Sequence, residues 1–196
     1  MSRTIGIMSM SLDGFVADVD GGVAEVFDWY AAGDVEVQAG GADAMAFRMS
    51  AASAEHFRDL TAGLGAVITG RRTFDAADGW GGRHAWGPAF VLSHTVPDGW
   101  PRPGSSVHFV HDGIEAAVGR ALEAAGGGSV ALHGADTIRQ CLRAGLLDEL
   151  ALDVAAVLLG SGVPMFDHVV EAPAVLGDPE VVQGVGVTHL RYAVRR

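Results

Sequence analysis

The chain is poor in cysteine, in positive charge and in long apolar runs, and each shortage removes a class of function. One cysteine in 196 residues rules out an internal disulfide framework and a multi-cysteine zinc site, and suits a reducing, cytoplasmic setting. Thirteen basic residues against 24 acidic ones leave a formal charge of -11. Nucleic-acid and anionic-membrane surfaces need a concentrated excess of Lys and Arg, so any anion site here must be local. The longest uncharged apolar run, 154–166, is broken by Gly160, Ser161, Gly162 and Pro164 and is too short for a transmembrane helix. The start, MSRTIGIMSM, lacks the apolar core and cleavage site of a signal peptide.

Several catalytic signatures are missing as well. There is no GxGxxG after the first strand, no GxxxxGK[ST] loop and no GxSxG, which argues against a standard Rossmann dehydrogenase or a P-loop NTPase. The eight histidines form no HExxH or other close metal-ligand pair, so no metal is expected. His56, His133 and His189 read as packing or surface residues. Cys141 shares an apolar face with Ile138 and Leu142, as a buried structural thiol does.

What is present suffices for one sizeable core, with 49% hydrophobic and 19% charged residues, and residues 1–196 read as a single domain. Apolar runs bounded by turn residues predict strands at Thr4–Met10, Ala66–Thr69, Ala89–Ser93, Val107–His111, Ser129–His133, Glu149–Leu159 and Val185–Val194. Helical spacing links Phe57, Leu60 and Leu64, then Ile114, Val118, Ala121 and Leu122, then Ile138, Cys141, Leu142 and Leu146. Asp112 is placed to cap the second of these helices and Asp136 the third. Strands alternating with helices imply an α/β fold with a mostly parallel central sheet and flanking helices. The last two strands are separated by Pro164, Pro173 and Pro179 without a helix, so they form an antiparallel addition at the C-terminal edge.

Residues 18–50 read as a long loop, interrupted by Gly21, Gly22, Gly33, Gly40 and Gly41 and rich in acids from Asp18 to Glu36. A loop of that length is a lid over a site or a mobile surface insertion. Phe27, Trp29, Tyr30 and Phe47 favour the lid, because a solvated insertion has little use for aromatics.

Three strand ends carry chemistry suited to one extended anion. In AVITGRRTFD a buried strand ends at Gly70, and a helix begins with Arg71, Arg72 and Thr73; free N–H groups and guanidiniums there bind phosphate. A solvated basic turn is the other reading, although paired Arg at a helix start opposes the dipole. In SVALHGADTIRQCL, Gly134 and Ala135 are small enough for a pyrophosphate to approach the next helix, with Asp136 and Thr137 beside it. A plain capped helix explains the same residues. In AFVLSHT, Ser93, His94 and Thr95 follow a strand and hold a ribose phosphate or cap a turn.

SLDGFVAD, ITGRRTFD, VLSHT, VALHGADTIRQCLRAGLLDEL and LLGSGVPMF together resemble, in this order and over nearly the whole chain, the dihydrofolate-reductase-like reductases. The branch is that related to the C-terminal reductase domain of the riboflavin-biosynthesis deaminase/reductase, RibD. The resemblance implies a dihydrofolate-reductase-like fold, NADPH as cofactor and a homodimer. It implies that Gly70, Arg71, Arg72, Thr73, Ser93 and His94 hold the adenosine side and 2′-phosphate. Gly134, Ala135, Asp136 and Thr137 would hold the pyrophosphate, with Ala135 standing where a second glycine is usual. It further implies that Asp13 to Ala17 borders the nicotinamide, with substrate toward Asp28, Trp29 and Trp80. Reduction of a C=N bond calls for a proton source, and Asp28 and Asp13 are the candidates; Asp13 before Gly14 is also an ordinary turn pair. The function implied is an NADPH-dependent reductase of a small heterocyclic or imine-like substrate, in its most specific form 5-amino-6-(5-phosphoribosylamino)uracil in riboflavin biosynthesis. The acids of 18–50 do not suit a phosphorylated substrate. A pterin or folate reductase, and a non-catalytic dimeric binding protein that keeps the fold, are the alternatives. For the dimer, Leu152, Val154, Ala156 and Leu158 offer one apolar face, unless the lid or a helix covers it.

Overall fold

The computed structural model describes residues 2–39, 45–167 and 174–195. Gly40, Gly41 and Pro173, read above as chain breakers, lie outside the described residues. The chain opens with β1 (Thr4–Ser11) and the short β2 (Phe15–Ala17). A helical turn α1 (Ala24–Phe27), a 3-10 turn (Asp28–Ala31) and the strands β3 (Val35–Ala39) and β4 (Met45–Met49) follow. Next come α2 (Ala51–Thr61), β5 (Leu64–Gly70), α3 (Arg71–Ala76), a second 3-10 turn (Asp78–Gly82), β6 (Ala89–Leu92) and β7 (Val107–Val110). The rest is α4 (Ile114–Ala124), β8 (Ser129–His133), α5 (Ala135–Arg143), β9 (Glu149–Ala155), β10 (Val163–Pro164), β11 (Glu180–Gln183) and β12 (Val187–Ala193).

Eight strands form one sheet in the order β11-β12-β9-β1-β8-β5-β6-β7. From β9 to β7 every neighbouring pair is parallel, while β12 runs antiparallel to β9 and β11 to β12. Period-two alternation sends Val130 and Leu132 of β8, Ile68 of β5 and Leu150 and Leu152 of β9 to one face, where they pack with Ile114 and Val118 of α4 and Ile138 and Cys141 of α5. Their neighbours Ala131, Val67 and Ala151 face the other way, toward Leu60 of α2 and Phe74 of α3. Buried on both faces, these strands read as continuous apolar runs, which is why they were legible. No helix among the described residues is long and apolar enough to cross a membrane.

The structure corrects several expectations. The described residues of 18–50, namely 18–39 and 45–50, are not one loop: they contain α1, a 3-10 turn and the antiparallel pair β3–β4. Trp29 is buried in a core cluster with Val37, Met49, Ala54, Phe57 and Val187, so the aromatics signal a packed layer. The strand expected to reach Leu159 stops at Ala155. Its apolar face is covered within the chain, since Leu152 is core and Val154 packs against it, leaving Ala156 and Leu158 exposed. Asp112 does not cap α4; Gly113 occupies that position, and Asp112 pairs with Arg120 at 2.5 Å. Likewise Gly134 precedes α5 and Asp136 sits in its first turn.

Trp29→Ala separates a core residue from a lid residue. It removes an indole that is 3% exposed, so chemical denaturation should show a loss of about 3–5 kcal/mol, where a mobile lid would show none.

Candidate active site

β8, β5 and β6 are parallel neighbours in that order, which lays their carboxyl ends side by side. The three sequence-distant segments Gly134–Thr137, Gly70–Thr73 and Ser93–His94 therefore meet along one edge. Two glycines keep this edge accessible. A Cβ on Gly134, whose φ is +88°, would lie 3.0 Å from Thr73 Oγ1, and one on Gly70 would lie 3.4 Å from Thr137 Oγ1. Ala135 is buried in the α4–α5 core, so its methyl group turns away from this edge.

The charges along the edge are unequal. Arg71 is committed to its own helix, its Nε donating to both Asp75 oxygens at 2.7 and 2.8 Å, whereas Arg72 is exposed. The Asp136 carboxylate accepts from Gln140 Nε2 at 2.7 Å and lies 3.6 Å from Arg139. Ser93 Oγ donates to the Thr95 carbonyl at 2.6 Å, an ST-type turn that leaves His94 exposed.

A narrow cleft of about 90 Å³ adjoins this edge, and Thr73 and Gly134 line both. Its walls come from four places: Ile7, Met8 and Ser9 of β1; Phe27, Trp29 and Tyr30 of the inserted segment; His56, Phe57, Leu60 and Thr61 of α2; and Trp86, His133 and Asp153. Asp153 anchors a buried hydrogen-bond chain. A carboxylate only accepts, so the 2.6 Å contact with His189 places the proton on Nδ1. Nε2 lies 2.9 Å from Ser53 Oγ, which in turn accepts from Ser50 Oγ at 2.9 Å. The His56 ring stacks on His189 at 4.4 Å with its Nε2 4.0 Å from Asp153. His56, Asp153 and His189 bring their ligand atoms within 4.8 Å of one another. Both His189 nitrogens are already engaged, one by Asp153 and one by Ser53.

Two imidazoles end in the cleft wall without partners. His56 Nε2 and His133 Nε2 are enclosed yet make no hydrogen bond among the described residues. The neighbouring His84 accepts from the Trp86 amide through Nδ1 at 3.2 Å, and Trp86 meets His133 edge-on at 4.8 Å. Burial pushes His133 down to about 3, helped by His84, and pushes His84 down to about 4. Burial, with His189 adding to it, also lowers His56. Burial, then the Asp153 charge, drives the Tyr30 hydroxyl well above its ordinary range.

The expected acids lie elsewhere. Asp28 is exposed between Phe27 and Trp29, both of which do line the cleft. Asp13 holds a turn: it accepts from Ser11 Oγ at 2.5 Å, the Leu159 amide at 3.1 Å and the Gly160 amide at 2.7 Å. Those donors, Ser11 foremost, hold its carboxyl below the ordinary range. Ala17 is buried in β2 opposite Val163. Trp80 packs edge-on against Phe74 and His84; the tryptophans in the cleft are Trp29 and Trp86. Asp153 and Trp86, not singled out from the sequence, line the cleft, as do His56 and His133, which the sequence reading took for packing or surface residues.

No family model and no curated protein matches the sequence, but solved structures match the fold. A protein from Shewanella sp. PV-4 named for riboflavin biosynthesis superposes with a TM-score of 0.73 at 24% identity, covering 100% of both chains. A pyrimidine reductase-like protein from Corynebacterium diphtheriae gives 0.61 at 15% identity, over 100% of this chain and 92% of the other. The Thermotoga maritima diaminohydroxyphosphoribosylaminopyrimidine deaminase/5-amino-6-(5-phosphoribosylamino)uracil reductase gives 0.64 at 11% identity, over 99% of this chain and 57% of that one. The chain thus spans just over half of that bifunctional enzyme. Its fold is that of the RibD reductase-like proteins, the branch its sequence resembles.

The depressed histidines set an acid limit. An unfolded chain takes up protons on His84 and His133 from pH about 6.5 downward, while the folded one resists until about 4 and 3. Stability should therefore fall as pH drops through that window. Denaturation midpoints of His133→Phe should fall less steeply there than those of the parent.

Proposed function

We propose that this protein is an NADPH-dependent reductase acting on a small heterocyclic or imine-like substrate. One observation carries the reading: Thr73 and Gly134 belong both to the phosphate-type edge and to the wall of the cleft. A ligand lying along the edge therefore ends where a substrate would sit. Support for a dinucleotide there is that Gly134, at φ +88°, leaves its elbow without a side chain and that Arg72 on the same edge is exposed. Gly70 to Thr73 and Gly134 to Thr137 would hold its phosphates, and Ser93 and His94 its ribose. When bound, NADPH supplies a hydride, two electrons, to the carbon of a C=N bond.

The chain's own residues do the rest. Trp29, Trp86 and Phe57 give a planar substrate faces to pack against and keep water out. Asp153 brings a carboxylate into the cleft, to accept a hydrogen bond from a substrate N–H and so hold the ring beside the nitrogen, which takes its proton from solvent. His189 and Ser53 fix that carboxylate in place.

NADPH should bind more tightly than NADH, and equal affinities would refute the 2′-phosphate assignment. Arg72→Ala should weaken NADPH about tenfold, the scale of one charge-assisted hydrogen bond, and NADH little. Arg71→Ala should do less, because Asp75 already shares its charge. With an established substrate, NADPH consumption should fall about a hundredfold in kcat/KM for Asp153→Asn and stay at the parent value for Asp28→Asn.

A further inference from the structure

We infer that the cleft selects a planar nitrogen heterocycle that carries no phosphate, held through N–H and C=O groups by Asp153, His56 and His133. The inference rests on the reductase reading for what happens next, not for what binds. Four observations converge on it.

The first is the missing cation. Among the described residues no arginine lines the cleft, and the chain contains no lysine, so all thirteen basic residues are Arg. Arg58, beside Phe57 on α2, turns to the Glu36 carbonyl at 3.2 Å, and Arg71 is engaged by Asp75. Arg72 stands at the cofactor edge. Phosphate recognition rests on guanidinium, ammonium or clustered backbone N–H groups, and the cleft walls provide none of the cationic kind.

The second is charge of the opposite kind. Asp153 is 5% exposed and lines the cleft, so a phosphate beside it would meet a like charge in a poorly solvated place. The third is the state of the imidazoles: with protonation of His133 postponed to about 3 and that of His56 lowered, neither offers a positive charge at neutral pH. The fourth is their unmet bonding. His56 Nε2 and His133 Nε2 are enclosed polar atoms with no partner among the described residues, and a buried polar atom left unsatisfied is costly. A ring with an amide-like edge offers donors and acceptors to both atoms and to the carboxylate, while its faces meet Trp29, Trp86 and Phe57.

This choice departs from the phosphoribosyl substrate in the name of the Thermotoga maritima protein. It makes the departure a matter of charge in the cleft rather than of fold. Phosphate-free heterocycles that hold cations in place of anions, such as protonated imines, fall within the inferred class.

Calorimetric titration of the full chain tests it with two matched ligands: 5-amino-6-(5-phosphoribosylamino)uracil and the nucleoside left when phosphatase removes its phosphate. The nucleoside should bind at least tenfold more tightly. Equal or tighter binding of the phosphorylated form, or binding of neither, would overturn the inference. Asp153→Asn should narrow the preference by strengthening the phosphorylated ligand, a reversal that mere loosening of the fold would not produce. If circular dichroism shows that this variant does not fold, Thr61→Arg at the partly exposed end of α2 should shift the preference toward phosphate by a similar factor; no shift would count against the inference. NADPH consumption in the same mixtures reports separately on the reductase reading. Nucleoside that binds without being reduced defeats that reading and leaves the pocket assignment standing, and preferential reduction of the phosphorylated form does the opposite.

Discussion

A histidine with no exposed surface, bonded at both ring nitrogens, ties the antiparallel edge of the sheet to the helix and hairpin beside it. His189 lies on β12, its Nδ1 proton held by Asp153 of β9 and its Nε2 facing Ser53 of α2. Trp29 meets its ring edge-on at 5.0 Å and His56 stacks on it. Four elements that the sequence separates widely thus share one polar centre. Such a centre is stable only when complete, because each buried group left without its partner costs the desolvation it has already suffered. The close approach has its own requirement: a Cβ on Gly184, in the turn before β12, would fall 2.3 Å from Ser53 Oγ.

The molecule divides its labour along the sheet. The parallel half, from β8 to β6, ends in small and polar residues at an edge suited to a long anionic ligand. Phe27, Trp29 and Tyr30 of the inserted segment, Phe57 of α2 and Trp86 supply the aromatic walls of the cleft, and β9 supplies its carboxylate. The two halves meet at Thr73, Gly134 and His133. Asp13, expected to serve the chemistry, instead fastens the loop after β9 to the end of β1, and this leaves Asp153 to present a carboxylate in the cleft.

The parallel core was legible because each strand is buried on two faces and announces itself as an unbroken apolar run; β8 is Ser129–His133 in both readings. The strand ends were legible as junctions, because glycine followed by arginine and threonine marks where β5 stops and α3 starts. The cleft was not. Its carboxylate is a lone acid within the apolar run of β9, the histidine that holds that acid sits in an alternating tail that looks like a surface strand, and only pairing in register, His189 opposite Asp153, brings them together. The short strands β3 and β4 escaped because glycine and acid content masked their alternation. A lone buried-strand acid opposite a buried-strand histidine is the pattern that would have signalled the site.

The place of His189 in the chain also bears on the order in which the molecule is built. Its bond to Ser53 joins residues 136 positions apart and its bond to Asp153 residues 36 apart, and β12 is the last strand of the sheet. Closing such long loops is entropically costly until other contacts have already brought the ends together. The parallel strands β1, β8, β5, β6 and β7 all precede β12 in the chain and can associate without it, but the bond that fixes Asp153 cannot form until β12 is in place. A chain cut short before β12 would keep the strand-end edge and lose the partner that orients the carboxylate of the cleft.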